Sequence, residues 1–153
     1  MDSFDDTDRK LLGILQREGR ISNAELAARV HLSPAPCLRR VQRLERAGVI
    51  RGYRAQLDAA RVGAGLKAFV RVKLGNHAPA TVSAFKQSVR GWPEVVACHA
   101  LTGDADFMLV VVASGLEDYS RFMMKRLQHA PGIADLNTAI ALETIKEDGP
   151  LPV

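Results

Sequence analysis

The chain has 153 residues, of which 47% are hydrophobic and 25% charged, values that are ordinary for a globular protein. No apolar run approaches the roughly 20 residues of a membrane-spanning helix, and the acidic N-terminus lacks the basic and then apolar order of a secretory signal. We therefore predict a cytoplasmic protein with no membrane association, whose two cysteines, Cys37 and Cys98, stay reduced.

The positive charge is concentrated in the first part of the chain. Residues 1–65 hold 12 Lys and Arg against 8 Asp and Glu, whereas residues 66–153 hold 9 of each. Between residues 29 and 54 there are seven arginines and a single acid, Glu45. Arginine is the side chain suited to bidentate contacts with phosphate and guanine. A basic patch on an otherwise neutral protein indicates a polyanionic partner.

Three short helices are predicted in the first 48 residues. Asp5, with Asp8 three positions later, predicts the start of the first helix, and Gly19 is expected to end it. The sequence SNAE at residues 22–25 is a capping box for the second helix. Ser33 caps the third, whose first residue is a proline. Short helices joined by a tight turn predict a helix-turn-helix.

The third helix combines an apolar seam with a stripe of arginines. At about 100° per residue, Cys37, Val41 and Leu44 share one face of this helix. Arg39 and Arg43 then lie near the opposite pole. A charged helix that merely faces solvent usually mixes signs through acid–base pairs, and this helix barely does. The pattern is typical of a recognition helix that enters a groove of double-stranded DNA.

The residues after this helix predict a hinge. Residues 49–57 are expected to form a short extended, wing-like strand, and the glycines of residues 59–65 mark a linker. The residues predicted to contact DNA lie at the helix starts, along the arginine stripe and in the hinge: Ser22, Asn23, Ser33, Pro34, Ala35, Arg39, Arg40, Arg43, Arg51 and Arg54.

The remaining sequence predicts the order β-α-β-β-α-β, which is the ferredoxin-like pattern. In the first strand, apolar residues from Ala68 to Leu74 alternate with more polar ones. The predicted elements are strand 67–74, helix 80–90, strand 95–101, strand 107–112, helix 116–127 and strand 133–145. The fold class is α+β, with a winged helix-turn-helix domain at 1–58, a linker at 59–65 and a ferredoxin-like domain at 66–153.

Four stretches of the sequence resemble the Lrp/AsnC (feast/famine) family of transcription regulators: SPAPCLRRVQRLE at 33–45, GRISNAELA at 19–27, GVIRGYRAQLD at 48–58 and TGDADF at 102–107. The resemblance runs from about residue 5 to residue 146. It implies a DNA-binding domain joined by a hinge strand to a ferredoxin-like, RAM-type domain that binds an amino acid. In the family, dimers form by packing their C-terminal sheets and commonly assemble into octamers, with amino acids bound between dimers.

The resemblance also implies an effector site. The family's Gly-Asp-x-Asp loop corresponds to residues 103–106, and the last strand around residues 135–140 would face it. A zwitterion needs donors for its carboxylate and acceptors for its ammonium group, which a glycine turn and an aspartate supply. The predicted effector-binding residues are Leu101, Thr102, Gly103, Asp104, Ala105, Asp106, Asp135, Leu136, Thr138 and Ile140.

Two features leave this assignment open at the level of sequence. Asp104 and Asp106 would also suit a β-turn that they simply cap, with no ligand involved. Phe107 stands where many relatives have tyrosine, so a hydroxyl group near the site is missing.

The residue inventory argues against an enzyme. His31 lies in the predicted turn of the helix-turn-helix, and His77 and His129 lie in loops. Cys98 and His99 are neighbours on a strand, so their side chains face opposite ways and do not readily share a metal. The sequence contains no zinc-protease or phosphate-loop motif. We predict no catalytic residue, no cofactor and no metal site.

Two alternatives without catalysis remain. The chain could be a nucleoid-associated architectural protein that binds DNA independently of an effector, or a regulator whose second domain only oligomerises. Architectural binding neutralises phosphates over a wide surface. The charge of this chain is focused on one helix and its hinge, which favours sequence-specific binding.

Overall fold

The computed structural model describes residues 4–147 and 149–153. Residues 1–3 and 148, which the predicted domains include, lie outside the described residues. The described chain forms two compact units: one ends at Gln56 and also holds Ile145–Val153, and the other is Leu57–Thr144.

The C-terminal segment, Ile145–Val153, belongs to the first unit, whereas the predicted boundary at residue 66 places it in the second domain. The side chain of Gln16 holds it through two hydrogen bonds. Gln16 Nε2 donates to the carbonyl oxygen of Leu151 at 3.2 Å, and Gln16 Oε1 accepts from the backbone N–H of Leu151 at 2.6 Å. Apart from this segment, the limits 1–58, 59–65 and 66–153 stay predictions.

The first unit contains helices α1 (Asp6–Leu15), α2 (Asn23–Arg29) and α3 (Pro34–Arg46). The two predicted capping boxes, Asp5 with Asp8 and Ser22 with Glu25, are both confirmed. The prediction that α1 continues to Gly19 is wrong. Its last carbonyl groups are taken up in a tight turn, in which the N–H of Arg17 donates to Ile14 at 3.0 Å.

The apolar seams of these helices meet in one core. The seam of α3 is buried as predicted, with Cys37 at 0% and Leu44 at 1% exposure. The core cluster is formed by Leu11, Leu26, Ala27, Val30, Cys37 and Val41. Cys37 is thus a core residue, and its burial raises the pKa of its thiol.

The second unit contains β1 (Leu66–Leu74), α4 (Pro79–Arg90), β2 (Val95–Ala100), β3 (Phe107–Ala113), α5 (Leu116–Lys125) and β4 (Ile133–Ile140), with a short 3₁₀ turn at Leu127–His129 before β4. The strand order in the sheet is β2-β3-β1-β4. All three pairings are antiparallel. The predicted ferredoxin-like βαββαβ topology is thereby confirmed.

One face of this sheet carries the core. Val70 and Val72 of β1 are 0% exposed, as are Leu109 and Val111 of β3. These alternate with residues that face the other way, because successive side chains of a strand point to opposite faces. Aromatic rings from the helices and strands complete the cluster.

Two predicted strands differ from the structure. The segment predicted as a strand, residues 49–57, forms none, because beyond the end of α3 its backbone pairs with no strand among the residues that the structure describes. The last strand ends at Ile140 and does not reach residue 145. Ile140 pairs with Ala68, two residues from the start of β1, so residues beyond Ile140 have almost no part of β1 left to pair with.

Candidate DNA-binding and effector sites

The arginine stripe of α3 lies on its exposed face. Arg39, Arg43 and Arg46 are exposed, opposite the buried seam, and Arg40 at the side of the helix is half-buried. A shallow concavity on this face is lined by Pro36, Arg39, Arg40 and Arg43. The side chain of Arg39 forms no hydrogen bond or ion pair with any residue that the structure describes. A long, exposed guanidinium of this kind can reach a phosphate or a base edge.

The N-terminus of α3 is fixed from α2. Asn23 Nδ2 donates to the carbonyl oxygen of Pro34 at 2.9 Å, so the amide that was predicted to touch DNA also ties the two helices of the motif together. Ser33 occupies the cap position, but its side chain forms no capping hydrogen bond. Ser33, Pro34 and Ala35 are exposed at this helix end. The Ser22 hydroxyl is engaged with Glu25.

Two arginines of α3 are paired with acids at the start of α1, a pairing that was not predicted from the sequence. Arg40 Nη1 lies 2.6 Å from Asp5 Oδ2 and 3.0 Å from Asp8 Oδ1. Arg43 Nη2 contacts the second carboxylate oxygen of Asp8. Asp8 is 1% exposed and is the one buried charged residue among those described. The backbone N–H of Asp8 and then the Arg40 guanidinium lower the pKa of Asp5.

A signal for this pairing was present in the sequence. Asp8 precedes Leu11 and Leu12 by three and four positions, which places it on the same face of the helix as these buried leucines. An acid on the buried face of an amphipathic helix must find a cation or a donor, because an unpaired buried charge is costly. The arginine-rich third helix supplies the cations that this buried acid requires.

The hinge segment carries two further exposed arginines, Arg51 and Arg54. Neither forms a hydrogen bond or ion pair with the residues that the structure describes. Between them, Tyr53 Oη donates to Glu45 Oε1 at 3.1 Å, which fixes the hinge against the end of α3. Burial raises the pKa of Tyr53. Glu45, the single acid between residues 29 and 54, therefore accepts a hydrogen bond from a tyrosine and does not pair with the arginines of α3.

In the second unit, the predicted effector loop places Asp104 beside a cation. Asp104 is 84% exposed at its side chain, and Asp104 Oδ2 accepts a hydrogen bond from Arg71 Nη2 at 2.7 Å. Its own backbone N–H and then Arg71 lower the pKa of Asp104. Gly103 adopts a φ of 107°, a backbone conformation that side chains disfavour. An anion and a cation therefore stand side by side at an exposed glycine turn.

Both carboxylate oxygens of Asp106 have hydrogen-bonding partners within the same unit. Its Oδ2 accepts from the backbone N–H of Leu74 at 2.7 Å, and its Oδ1 lies 2.6 Å from Nε2 of His77. The Leu74 N–H and then His77 lower the pKa of Asp106. The backbone N–H of Asp106 donates to Val72 at 2.9 Å. This residue anchors the loop to the end of β1, and the neighbouring Ala105 is buried at 7% exposure.

The residues of β4 that were predicted to face the loop lie at different distances from it, because each pairs with a different position of β1. Leu136 pairs with Val72, at the same level of β1 as the loop. Thr138 pairs with Val70 and Ile140 with Ala68, which places Ile140 roughly 13 Å further along at about 3.3 Å per residue.

Thr138 has a partner of its own: its Oγ1 lies 2.7 Å from the hydroxyl of Tyr119 on α5. Within one chain, the register therefore places Thr138 and Ile140 away from the loop, whereas Leu136 lies at its level. Neither Arg71 nor His77 was predicted as a site residue, although the alternation along β1 places Arg71 on the face opposite the core.

Comparison with known proteins identifies both units. Residues 4–51 match the family model for winged helix-turn-helix DNA-binding domains, and residues 67–151 match the model for the Lrp/AsnC ligand-binding domain. The chain is therefore a DNA-binding transcription regulator with an attached ligand-binding domain. It belongs to the Lrp/AsnC family, which confirms the resemblance, the fold class and the prediction that the chain is not an enzyme.

Individual relatives agree over nearly the full length. The leucine-responsive regulatory protein of Escherichia coli (strain K12) is 39% identical over 150 residues, which cover 98% of this chain and 92% of that protein. The structure of a transcriptional regulator from Neisseria meningitidis in complex with L-Met is similar with a TM-score of 0.93 and 42% identity, covering 98% of this chain and 97% of that one. An AsnC family regulator from Agrobacterium tumefaciens has a TM-score of 0.92 and 36% identity, covering 97% of each chain.

The described residues include neither a membrane-spanning helix nor a metal-binding cluster. None of their helices has the length and apolar character needed to cross a membrane. Nor do the histidines, cysteines and acids of this part of the chain form a group of three that could hold a metal ion.

Proposed function

We propose that this chain is a sequence-specific regulator whose DNA binding or assembly responds to a free amino acid, and that the effector binds at the exposed pair of Arg71 and Asp104. The observation that carries this proposal is the 2.7 Å contact between these two side chains beside Gly103. Arg71 offers donors to the carboxylate of a zwitterion, and Asp104 offers an acceptor to its ammonium group. The complex of the Neisseria regulator with L-Met supports an amino acid as the ligand class.

The DNA contacts follow from the first unit. Each α3 enters a major groove, with Ser33, Pro34 and Ala35 at the base edges and backbone. Arg39, Arg40 and Arg43 contact bases or phosphates within the groove. Arg51 and Arg54 contact flanking phosphates from the hinge, and Ser22 and Asn23 lie beside the backbone at the start of α2.

A symmetric oligomer completes both sites in this proposal. Dimers form through the sheet face that lies opposite the core and then assemble further, to an octamer. On that face Phe69 is 39% exposed in the single chain, as expected for an apolar residue that a second chain covers in the dimer. Because the loop and the far end of β4 are apart within one chain, an effector pocket is completed by residues of a neighbouring chain. The protein works in the cytoplasm, where its DNA lies.

A ligand screen tests this proposal. Each of the twenty amino acids is added to the full-length protein, and the melting temperature and the mass by light scattering are recorded. We expect at least one amino acid to raise the melting temperature by a few degrees, because a ligand that binds only the folded state stabilises it. The same amino acid should change the oligomer distribution or the affinity for DNA, since an effector acts by binding two states unequally. No change with any of the twenty at millimolar concentration would contradict the proposal.

A further inference from the structure

We propose that Asp8 is a positioning residue for DNA recognition: its buried carboxylate holds Arg40 and Arg43 of the recognition helix in fixed orientations and restrains their attraction to phosphates of any sequence. This inference rests on the proposed use of these two arginines in DNA contact. It assigns a role in recognition to a residue of α1, the helix of the motif that carries no predicted DNA contact.

The geometry of the carboxylate supports this role. Asp8 is 1% exposed, and each of its oxygens takes a different arginine: Oδ1 lies 3.0 Å from Arg40 Nη1, and Oδ2 contacts Arg43 Nη2. A buried carboxylate without a cation is strongly unfavourable. The two arginines are therefore held in the free protein, before any DNA is present.

The arginines keep an outward side. The side chain of Arg43 is 57% exposed and that of Arg40 is 30% exposed, although both are paired. A guanidinium has five N–H donors in a planar fork. Asp8 contacts one terminal nitrogen of each guanidinium, Nη1 of Arg40 and Nη2 of Arg43, so other N–H donors of both groups are left for DNA. An arginine that is already oriented loses less conformational entropy when it contacts a base.

The charge balance supports the second part of the proposal. Asp5 and Asp8 together contact Arg40, and Asp8 contacts Arg43, whereas Arg39 has no such partner among the described residues. Two of the three arginines that line the concavity on α3 are thus partly neutralised. Binding to random DNA depends on the number of phosphates that cations neutralise. The acids of α1 therefore lower binding to random sequences more than binding to a matched site, where geometry matters.

Three neighbouring aspartates provide a matched series of variants. Asp8→Asn removes the negative charge that pairs with both Arg40 and Arg43. Asp5→Asn removes a negative charge that pairs with Arg40 only. Asp6→Asn makes the same change of charge at an exposed residue of the same helix turn, which contacts neither arginine. Asn is as good a helix cap as Asp, so Asp5→Asn is expected to fold. This second variant keeps the test meaningful if Asp8→Asn is too unstable.

The measurement is the affinity of each full-length variant for two DNA duplexes. One carries a site selected by the wild-type protein from a random pool, and the other is of random sequence. Titrations at several salt concentrations are made at a temperature where circular dichroism shows every variant folded. We expect Asp8→Asn to steepen the salt dependence for random DNA by about one to two phosphate contacts relative to Asp6→Asn. Its ratio of affinities for selected over random DNA should fall by about tenfold, with Asp5→Asn between the two.

A purely structural role for Asp8 would lower the melting temperature but leave these two readouts unchanged. Equal salt slopes and equal affinity ratios for the three variants would overturn the proposal. The variants Arg40→Ala and Arg43→Ala test the proposed DNA contacts independently of the positioning role of Asp8. If they bind both duplexes as the wild type does, the contacts themselves are wrong. If they weaken binding while Asp8→Asn matches Asp6→Asn, only the positioning role is wrong.

Discussion

Replacing Arg39 by alanine is expected to weaken binding to a selected DNA site by ~1–3 kcal/mol, or about 5- to 150-fold. Arg39 is exposed on the recognition helix and has no partner among the described residues. Its removal therefore costs the protein little, and the free energy of unfolding should change by less than about 0.5 kcal/mol. A gel-shift titration at fixed salt gives the first quantity and urea unfolding gives the second.

Arg43→Ala should weaken binding by a similar ~1–3 kcal/mol if this residue reads a base, but with a second effect. The substitution also takes a cation from the buried Asp8, so the variant is expected to unfold at a lower urea concentration. Comparing the two variants separates the loss of a DNA contact from the loss of an internal ion pair. Arg90→Ala, which removes an exposed arginine from the second unit, is the control for a simple change of charge. Wild-type affinity in both Arg39→Ala and Arg43→Ala would contradict the assignment of these residues to the DNA interface.

Replacing Asp104 by alanine should abolish the response to the effector and leave the fold intact. The side chain is 84% exposed, and it pairs with Arg71, so its loss removes the proposed acceptor for the ammonium group without opening the core. A charge-assisted hydrogen bond is worth ~1.5–3 kcal/mol, which corresponds to a loss of affinity of about tenfold or more. Isothermal titration with the amino acid identified by the screen measures this loss.

Two other acids serve as controls for this experiment. Glu117→Ala removes an acid that is 95% exposed on α5 and should leave binding of the effector unchanged. Asp106→Ala should instead lower the stability of the second unit, because Asp106 accepts from the backbone N–H of Leu74. An Asp104→Ala variant that binds the amino acid as tightly as the wild type would exclude this residue from the site.

Most of the fold could be predicted because its determinants are local. The capping boxes at Asp5 and Ser22 depend on residues three positions apart, and both were found in the sequence. The alternation along β1 identified its buried face for the same reason. The end of β4 was missed because it depends on where β1 begins in the pairing, a feature that no pattern within β4 reveals. The hinge at residues 49–57 has strand-like composition, but its backbone pairs with no strand in the described part of the chain.

The candidate sites show the same division between local and distant determinants. The arginine stripe of α3 follows from helical spacing alone. The pairing of Arg40 and Arg43 with Asp8 joins residues 32 and 35 positions apart, and that of Arg71 with Asp104 spans 33. Such contacts arise from the packing of α1 on α3 and from strand register, which composition and periodicity do not specify. The residues of β4 were assigned to the effector site by resemblance, and the register separates Thr138 and Ile140 from the loop.

We expect this member of the Lrp/AsnC family to bind DNA in a sequence-specific manner, because its exposed arginines are concentrated on one helix. The most direct test compares the affinity of the wild-type protein for a duplex selected from a random pool with its affinity for random DNA, at one fixed salt concentration near physiological. A sequence-specific regulator should prefer the selected duplex by about a thousandfold or more. A ratio near one would rule out sequence-specific binding and would favour an architectural protein that binds DNA without regard to sequence.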